Sequence, residues 1–213
     1  MAEETFPKPW TKATVLVACE ESQTVAKAFW RVGIPAVSCD VQAASGGYPS
    51  KHLQGDALPH VRSGKYAAVI AHPPCTYLSR AGARWMYAGG KGVPNPDRLA
   101  KAMEARKFFM EMLDANAPYV AVENPRYLKI VDLPPHTQTV QPYEFGEPWT
   151  KTTHLWLKGL PPLQPTNVVD ATRGGWLTHT STKRGRSKTF EGIATAMAEQ
   201  WGPVIVGKPF PNR

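Results

Sequence analysis

The chain of 213 residues lacks the features that mark membrane and secreted proteins. No apolar run approaches the roughly 20 residues that a membrane-spanning helix requires. The first ten residues, MAEETFPKPW, are acidic and interrupted by proline, unlike a secretory signal. We therefore expect a soluble protein that works in the cytoplasm.

Cysteine is scarce, and the three cysteines, Cys19, Cys39 and Cys75, lie far apart. They form neither a Cys-x-x-Cys pair, which is typical of metal sites, nor an even set suited to disulfides. We expect reduced thiols and no bound metal.

Acidic residues are also in deficit, with 17 aspartates and glutamates against 25 lysines and arginines. The formal net charge of +8 favours a polyanionic partner, although basic proteins without one exist. We expect that partner to be nucleic acid, and the sequence does not identify a protein partner.

What the chain does contain is a series of short apolar runs that are typical of buried parallel strands. Thr14 to Ala18 and Ile34 to Cys39 are two such runs, and a helix that closes at Gly33 separates them. Residues 1–213 are expected to form a single domain with an N-terminal tail at 1–12. The alternation of strand and helix predicts an α/β fold with a mostly parallel, Rossmann-like sheet and helices on both faces.

Three helices are predicted from caps and spacing. The first has Ser22 as N-cap and Val25, Phe29 and Val32 on one face. The second runs from an Asn95 cap to about Asn116, with a core stripe of Leu99, Met103, Phe109 and Leu113. The third, 190–201, is expected to feed a strand at 203–206.

The run AAVIAHPPCTYLS, residues 67–79, stops at Pro73 and Pro74 and then presents Cys75. The prolines remove two backbone donors and stiffen the exit from a strand, at the edge where open α/β sheets bind ligands. A thiol there is either a nucleophile or a small buried hydrophobic residue beside a turn. The restricted loop favours the nucleophile.

Pro-Pro-Cys at a strand end, with Ser79 four residues beyond the cysteine, resembles the catalytic motif of the DNA (cytosine-5) methyltransferases. VAVENP, residues 120–125, is similar to that family's Glu-Asn motif. Residues 142–159 resemble a degraded form of its Gly-x-Pro-Gln-x-Arg-x-Arg strand, and residues 190–201 resemble its C-terminal helix. The whole chain is similar to short phage-encoded proteins of this type that lack a target-recognition domain.

The resemblance implies an S-adenosylmethionine-dependent methyltransferase fold and methylation of DNA cytosine, in the host cytoplasm if a phage encodes the protein. It assigns catalysis to Cys75, Glu123 and Ser79. Cytosine accepts a thiolate at C6 only when an acid assists at N3, so Cys75 would attack C6 and Glu123 would assist at N3. A carboxylate that caps a loop is the alternative for Glu123.

Cofactor contacts are expected where the first strands end. Asp40 can accept hydrogen bonds from a ribose, or can serve a turn or a cap, and Gly55-Asp56 resembles the family's adenine-contacting pair. The turn after the first strand lacks the family's glycines. Its helix amides could bind a cofactor carboxylate, whereas Glu20 and Glu21 would favour a sulfonium or ribose over a pyrophosphate. The expected cofactor-binding residues are Ala18, Cys19, Glu20, Ser22, Asp40, Val41, Asp56 and Pro73.

Basic segments are expected to contact nucleic acid. Residues 80–91 have cations and aromatics without an acid, which suits a lid over a flipped base or a solvated loop. The basic stretch 171–189 lies where the family inserts its recognition domain and is too short to form one, so we expect weak sequence selectivity. By resemblance, Lys151 and Thr153 fall near the family's base-contacting arginines. The expected contacts are Pro74, Arg80, Arg84, Asn124, Lys151, Thr153, Lys183, Arg184 and Arg186.

Two other interpretations remain open. One is the same C5 chemistry on a free nucleotide or with another one-carbon donor, which would account for the absent recognition domain and glycines. The other is a non-catalytic nucleic-acid-binding protein that has this fold.

Overall fold

A computed structural model describes residues 14–87, 92–171 and 188–207. The expected tail at 1–12 and most of the basic stretch, including Lys183, Arg184 and Arg186, lie outside these residues.

Seven strands form one sheet in the order β3-β2-β1-β4-β5-β7-β6. They are β1 (Val15–Ala18), β2 (Ala36–Asp40), β3 (His52–Gln54), β4 (Ala68–Ala71), β5 (Tyr119–Pro125), β6 (Gln138–Val140) and β7 (Thr153–Lys158). Neighbours among β1 to β5 are parallel, whereas β7 is antiparallel to both β5 and β6. The sheet is therefore mostly parallel, as predicted.

Helices cover both faces of the sheet. Helices α1 (Thr24–Arg31) and α5 (Glu191–Ile205) pack on one face, and α2 (Leu58–Val61), α3 (Ala83–Met86) and α4 (Pro96–Leu113) pack on the other. Val15 and Val17 face the first layer while Leu16 and Ala18 face the second, so every position of β1 is buried and its sequence is continuously apolar. The predicted α/β class with a Rossmann-like sheet is confirmed. Within the described residues, no helix is long and apolar enough to cross a membrane.

The sheet order reverses between β1 and β4, because β2 and β3 extend to one side of β1 and β4 and β5 to the other. Crevices form at such switch points, outside the carboxyl ends of the strands. Ala18 pairs with Ala71 across this boundary, so the turn after β1 and the loop after β4 leave the sheet side by side. We call the second of these, residues 72–79, the cysteine loop.

Helix α4 begins as predicted, because the Asn95 side chain accepts a hydrogen bond from the Arg98 amide at 3.0 Å. Of the predicted stripe, Phe109 is buried and Leu99 and Leu113 are half-buried against the core. Ala102, Phe109 and Met112 are buried, while Met103 is 39% exposed. The prediction for α1 has a similar error, since that helix ends at Arg31 and leaves Val32 41% exposed.

The strand predicted at 203–206 is wrong, because α5 continues to Ile205 and contains Pro203 in its last turns. Trp201 and Ile205 are four residues apart and both buried, so continued helix keeps the two side chains on one apolar face. The indole of Trp201 also donates to the Pro161 carbonyl at 2.9 Å. Packing of this face outweighs the hydrogen bond that Pro203 cannot donate.

Candidate active site

Two sets of contacts restrain the cysteine loop. The Cys75 carbonyl accepts hydrogen bonds from the amides of Leu78 and Ser79, at 3.1 and 2.9 Å, which closes a tight turn. From α4, the Arg98 guanidinium donates to the Thr76 carbonyl at 2.9 Å. Cys75 is thus held close to the end of β4, as its two preceding prolines predict.

A short antiparallel bridge joins the cysteine loop to the segment that follows β5. Ser79 pairs with Tyr127, and the Arg80 amide donates to the Arg126 carbonyl at 2.8 Å. Because Tyr127 is only four residues beyond Glu123, the bridge fixes the loop relative to that glutamate.

Glu123 lies beside His72, because Ala71 and Val122 are register partners in adjacent parallel strands. Its Oε2 is 3.5 Å from His72 Nδ1, and its side chain is 16% exposed. The other oxygen, Oε1, is buried and has no hydrogen-bond partner among the described residues. A carboxylate with one restrained oxygen and one unpartnered oxygen is suited to receive a polar group from a ligand.

The charges around Glu123 keep it ionised. Burial alone would raise its pKa, but the hydrogen bond from His72 and the positive charge of Lys151 together lower the pKa below its ordinary value. Glu123 is therefore a carboxylate at neutral pH in the free protein.

The thiol of Cys75 has the opposite tendency. Burial raises its pKa, and the charge of Glu123 raises it further, whereas Lys151 and a hydrogen bond with Ser79 act in the other direction. Cys75 is therefore protonated at neutral pH, so forming a thiolate requires a proton acceptor. These interactions bring together Cys75, Ser79, Glu123 and Lys151, which are four residues predicted from the sequence.

The Glu123 side chain lines a pocket between the sheet and the start of α5. The pocket is shallow and open to solvent. The lining residues are Glu123, Lys151, Thr153, Thr189, Phe190, Ile193 and Met197. Sequence analysis identified Lys151 and Thr153 but missed the contributors near α5, because Ile193 and Met197 are indistinguishable from ordinary core positions in a helix.

The turn after β1 has the backbone shape of a glycine-rich turn without the glycines. Cys19 and Gln23 adopt φ angles of 61° and 59°, in the left-handed region that glycine occupies most readily. Gln23 is fully buried, and its amide donates to Ser38 Oγ at 3.2 Å and to the Tyr48 carbonyl at 2.9 Å. These bonds hold a conformation that the residue type alone disfavours.

Glu20 occupies the N-terminus of α1. Its carboxylate accepts from the Val25 amide at 2.6 Å and from the Ala26 amide at 3.2 Å. These two amides are therefore already bonded within the chain, and a cofactor carboxylate could bind them only by displacing Glu20. The predicted N-cap is wrong: Gln23 holds that position without a side-chain cap, and the Ser22 hydroxyl bonds Thr24.

Burial raises the pKa of Glu20 to about 7, although the charges of His72 and Lys27 and the two amide hydrogen bonds oppose the rise. The side chain is only 5% exposed. The group therefore changes protonation near neutral pH, at the boundary between β1 and the cysteine loop.

Asp40 and Asp56 converge on Cys19. After burial, their negative charges are among the causes that raise the pKa of the Cys19 thiol. Asp40 Oδ1 accepts from the Gln42 amide at 2.8 Å, and Asp56 Oδ1 accepts from the Leu58 amide at 3.0 Å at the start of α2. The turn and cap roles considered for these acids are both present.

These acids also test the fit of S-adenosylmethionine. Two carboxylates at adjacent strand ends, beside Val41 with 71% exposure, suit the hydroxyls and amine of an adenosine. The buried acids of the β1 turn suit a cationic group. The α1 amides are occupied, so the residues present fit the adenosine and the cationic part but offer no helix terminus to the carboxylate.

Exposed cations surround the cysteine loop. Arg80 and Arg84 are exposed, and the Arg84 guanidinium lies 4.7 Å from the ring centroid of Trp85, which is 55% exposed. Arg126 is exposed as well, and its carbonyl accepts from the Arg80 amide. Sequence analysis missed Arg126, although its position directly after Glu-Asn-Pro was a usable signal.

The other expected nucleic-acid contacts differ in exposure. Pro74 is exposed, whereas Pro73, an expected cofactor contact, is buried. Asn124 is fully buried, and its amide donates to the Pro125 carbonyl at 2.5 Å. Because neighbouring residues of β5 point to opposite faces, Asn124 and Glu123 do not face the same region.

The chain resembles solved structures but no protein known by sequence. No family model and no curated protein matches the chain. The chain is similar, at 13% sequence identity and a TM-score of 0.46, to the crystal structure of a proposed DNA modification methyltransferase encoded within a prophage (E. coli). The likeness covers 76% of this chain and 53% of that chain, so this chain spans about half the length of the other protein.

Proposed function

We propose that this protein methylates C5 of cytosine in nucleic acid, most simply DNA, with S-adenosylmethionine as the methyl donor. The observation that carries the proposal is the relation between Cys75 and Glu123. Cys75 lies in the loop after β4, and Glu123 lies near the end of the adjacent strand β5. The charge of Glu123 raises the pKa of the Cys75 thiol, and the charge of Lys151 lowers the pKa of both groups.

The resting protonation states suit addition to a cytosine. Cys75 holds a proton and Glu123 does not, whereas attack at C6 requires a thiolate and a proton at N3. If the thiol proton passes to Glu123 and from there to N3, the S–H bond breaks while the S–C6 and N3–H bonds form. No proton is exchanged with solvent, and the carboxylate is regenerated.

Lys151 and Ser79 support this transfer. A cation beside the thiol stabilises the thiolate as it forms, and the Ser79 hydroxyl hydrogen-bonds the sulfur. Lys151 also lowers the pKa of Glu123, so that the carboxyl group, once it has accepted the thiol proton, is a stronger acid toward N3. Its ammonium lies 5.4 Å from the centre of the Phe190 ring, which places it at the pocket wall.

When bound, S-adenosylmethionine supplies an electrophilic methyl group. Asp40 would accept hydrogen bonds from its ribose, and Asp56 would accept one from its adenine amine. After addition at C6, carbon C5 acts as the nucleophile and accepts the methyl group. A base then removes the C5 proton, the S–C6 bond breaks and N3 gives up its proton, which leaves 5-methylcytosine and restores the free sulfur of Cys75.

A cytosine that carries fluorine at position 5 tests the proposal, because no proton can then leave C5. Wild-type protein should form a covalent adduct with such DNA in the presence of S-adenosylmethionine. Cys75→Ser should form none, since a neutral hydroxyl is a far weaker nucleophile than a thiolate. Cys39→Ser is the matched control and should still form the adduct. An adduct in Cys75→Ser, or none in the wild type, would refute the proposal.

The occupied α1 terminus favours a second candidate, which is the same C5 chemistry with a different one-carbon donor. Reversible addition of Cys75 labilises the C5 hydrogen without any donor. Tritium release from cytosine labelled at C5, together with no calorimetric binding of S-adenosylmethionine, would favour this candidate. Tritium release together with binding favours the first.

A further inference from the structure

His72 lies between two buried glutamates from different segments. Its backbone amide donates to the Ala18 carbonyl at 2.9 Å, which fixes the residue beside the end of β1. Its side chain is only 8% exposed. Nδ1 lies 3.5 Å from Glu123 Oε2, and the charge of His72 also acts on Glu20.

The contact with Glu123 uses only one carboxylate oxygen. Oε2 meets the imidazole, whereas Oε1 is buried without a partner in a residue that lines the pocket. Buried polar atoms in folded proteins almost always have partners, so an unpartnered oxygen at a pocket indicates a ligand group that it is placed to meet. Nε2 of His72 is also buried and has no hydrogen-bond partner in the described part of the chain.

We propose that His72 is a positioning residue that holds Glu123 through Oε2 and thereby directs Oε1 toward the N3 edge of the cytosine. The inference rests on the proposed C5 chemistry. Thr189 Oγ1, 3.4 Å from the same Nδ1, restrains the imidazole from the side of α5. The separation of 3.5 Å is long for a hydrogen bond, as is common before a substrate binds and closes the site.

Several charged groups face this contact, so its removal has a predictable electrostatic effect. Glu20 faces His72 from the β1 turn, while Lys151 and His154 act on Glu123 from the start of β7. Without the imidazole, burial acts on Glu123 with less opposition. The pKa of Glu123 then rises, and the carboxylate is free to rotate in the pocket.

Two substitutions separate a positioning role from a merely structural one. His72→Leu removes the donor, while His72→Asn keeps an N–H group near the position of Nδ1. With C5-tritiated DNA, His72→Leu should lower kcat for tritium release by about 100-fold, the typical effect of misplacing a reacting group, and leave KM within about threefold. His72→Asn should recover at least about a tenth of the wild-type rate. His60→Leu, on α2, is the matched control and should match the wild type.

A second readout does not depend on activity. Carbon-13 NMR of labelled glutamate follows the Glu123 carboxyl, whose signal is the one missing from Glu123→Gln. Its midpoint should move to higher pH in His72→Leu and less so in His72→Asn. If His72→Leu does not fold, His72→Asn still decides the matter. An unchanged Glu123 midpoint and unchanged kcat in the folded variants would overturn the inference. Absence of tritium release in the wild type would instead overturn the proposed function, and the NMR titration would still test the His72 contact.

Discussion

Glu20 should give the folded protein a pH dependence opposite to that of an ordinary ion-paired carboxylate. Its pKa is about 7 in the folded state, against an ordinary value of 4.5 that applies to the unfolded chain. Between these pH values the folded state holds a proton that the unfolded state releases. The contribution of Glu20 to stability therefore falls as the pH rises through this window and is constant above it.

The magnitude follows from the width of the window. At about 1.4 kcal/mol for each pH unit, the full change is about 3 kcal/mol, which is a large share of the stability of a small domain. The side chain is only 5% exposed, so solvent screens little of this effect.

The assay is urea unfolding of the wild type and of Glu20→Gln at several pH values from about 4 to about 8. The free energy of unfolding of the wild type, minus that of the variant, should fall by about 3 kcal/mol across the range. Subtraction removes the effect of other ionisable groups, including His154. Burial lowers the pKa of His154 to about 4, so that residue by itself makes the free energy of unfolding rise with pH. Glu104→Gln, on the exposed side of α4, is the control and should give a flat difference.

A difference that stays constant within about 0.5 kcal/mol for Glu20→Gln would refute the reasoning. It would mean that the amide hydrogen bonds from Val25 and Ala26 fully offset the desolvation of the carboxylate.

Three further predictions concern binding and the β1 turn. Arg126→Ala should weaken nucleic-acid binding and reduce the slope of log affinity against log salt by about 1. Lys65→Ala is the control and should change neither quantity. An unchanged slope for Arg126→Ala would exclude a phosphate contact. Cys19→Gly should cost less than about 1 kcal/mol in urea unfolding and Cys19→Val more, because a β-branched residue tolerates positive φ poorly; the reverse order would contradict the strain argument. Asp40→Ala and Asp56→Ala should each weaken calorimetric binding of S-adenosylmethionine, and unchanged affinity in both would place the cofactor elsewhere.

The features that the sequence predicted correctly are local ones. A continuous apolar run identifies a strand buried on both faces, as in β1 and β4, and the Asn95 cap marks the start of α4 by its own hydrogen bond. The order of strand and helix then requires a parallel sheet, and the carboxyl ends of parallel strands meet at one edge. Cys75 and Glu123 could be expected near each other for that reason.

The features that it missed depend on contacts between segments. The carboxylate of Glu20 caps α1 from outside the usual N-cap position, and the usual cap rules examine only that position. Arg126 approaches Arg80 because of the bridge between Ser79 and Tyr127, which no spacing in the sequence reveals. The end of α5 was misjudged because Pro203 is a strong local signal that burial of the neighbouring side chains outweighs.

The carboxylate of Glu20 is, in effect, a tethered ligand of α1. Occupancy of a helix terminus by a free anion follows mass action, and the resulting stabilisation grows with the logarithm of the anion concentration. A carboxylate within the chain has an effective concentration that dilution and dialysis leave unchanged. Above the pH at which Glu20 ionises, sulfate and phosphate therefore find these amides already bonded. The stability of the start of α1 should then not depend on which buffer anion is present.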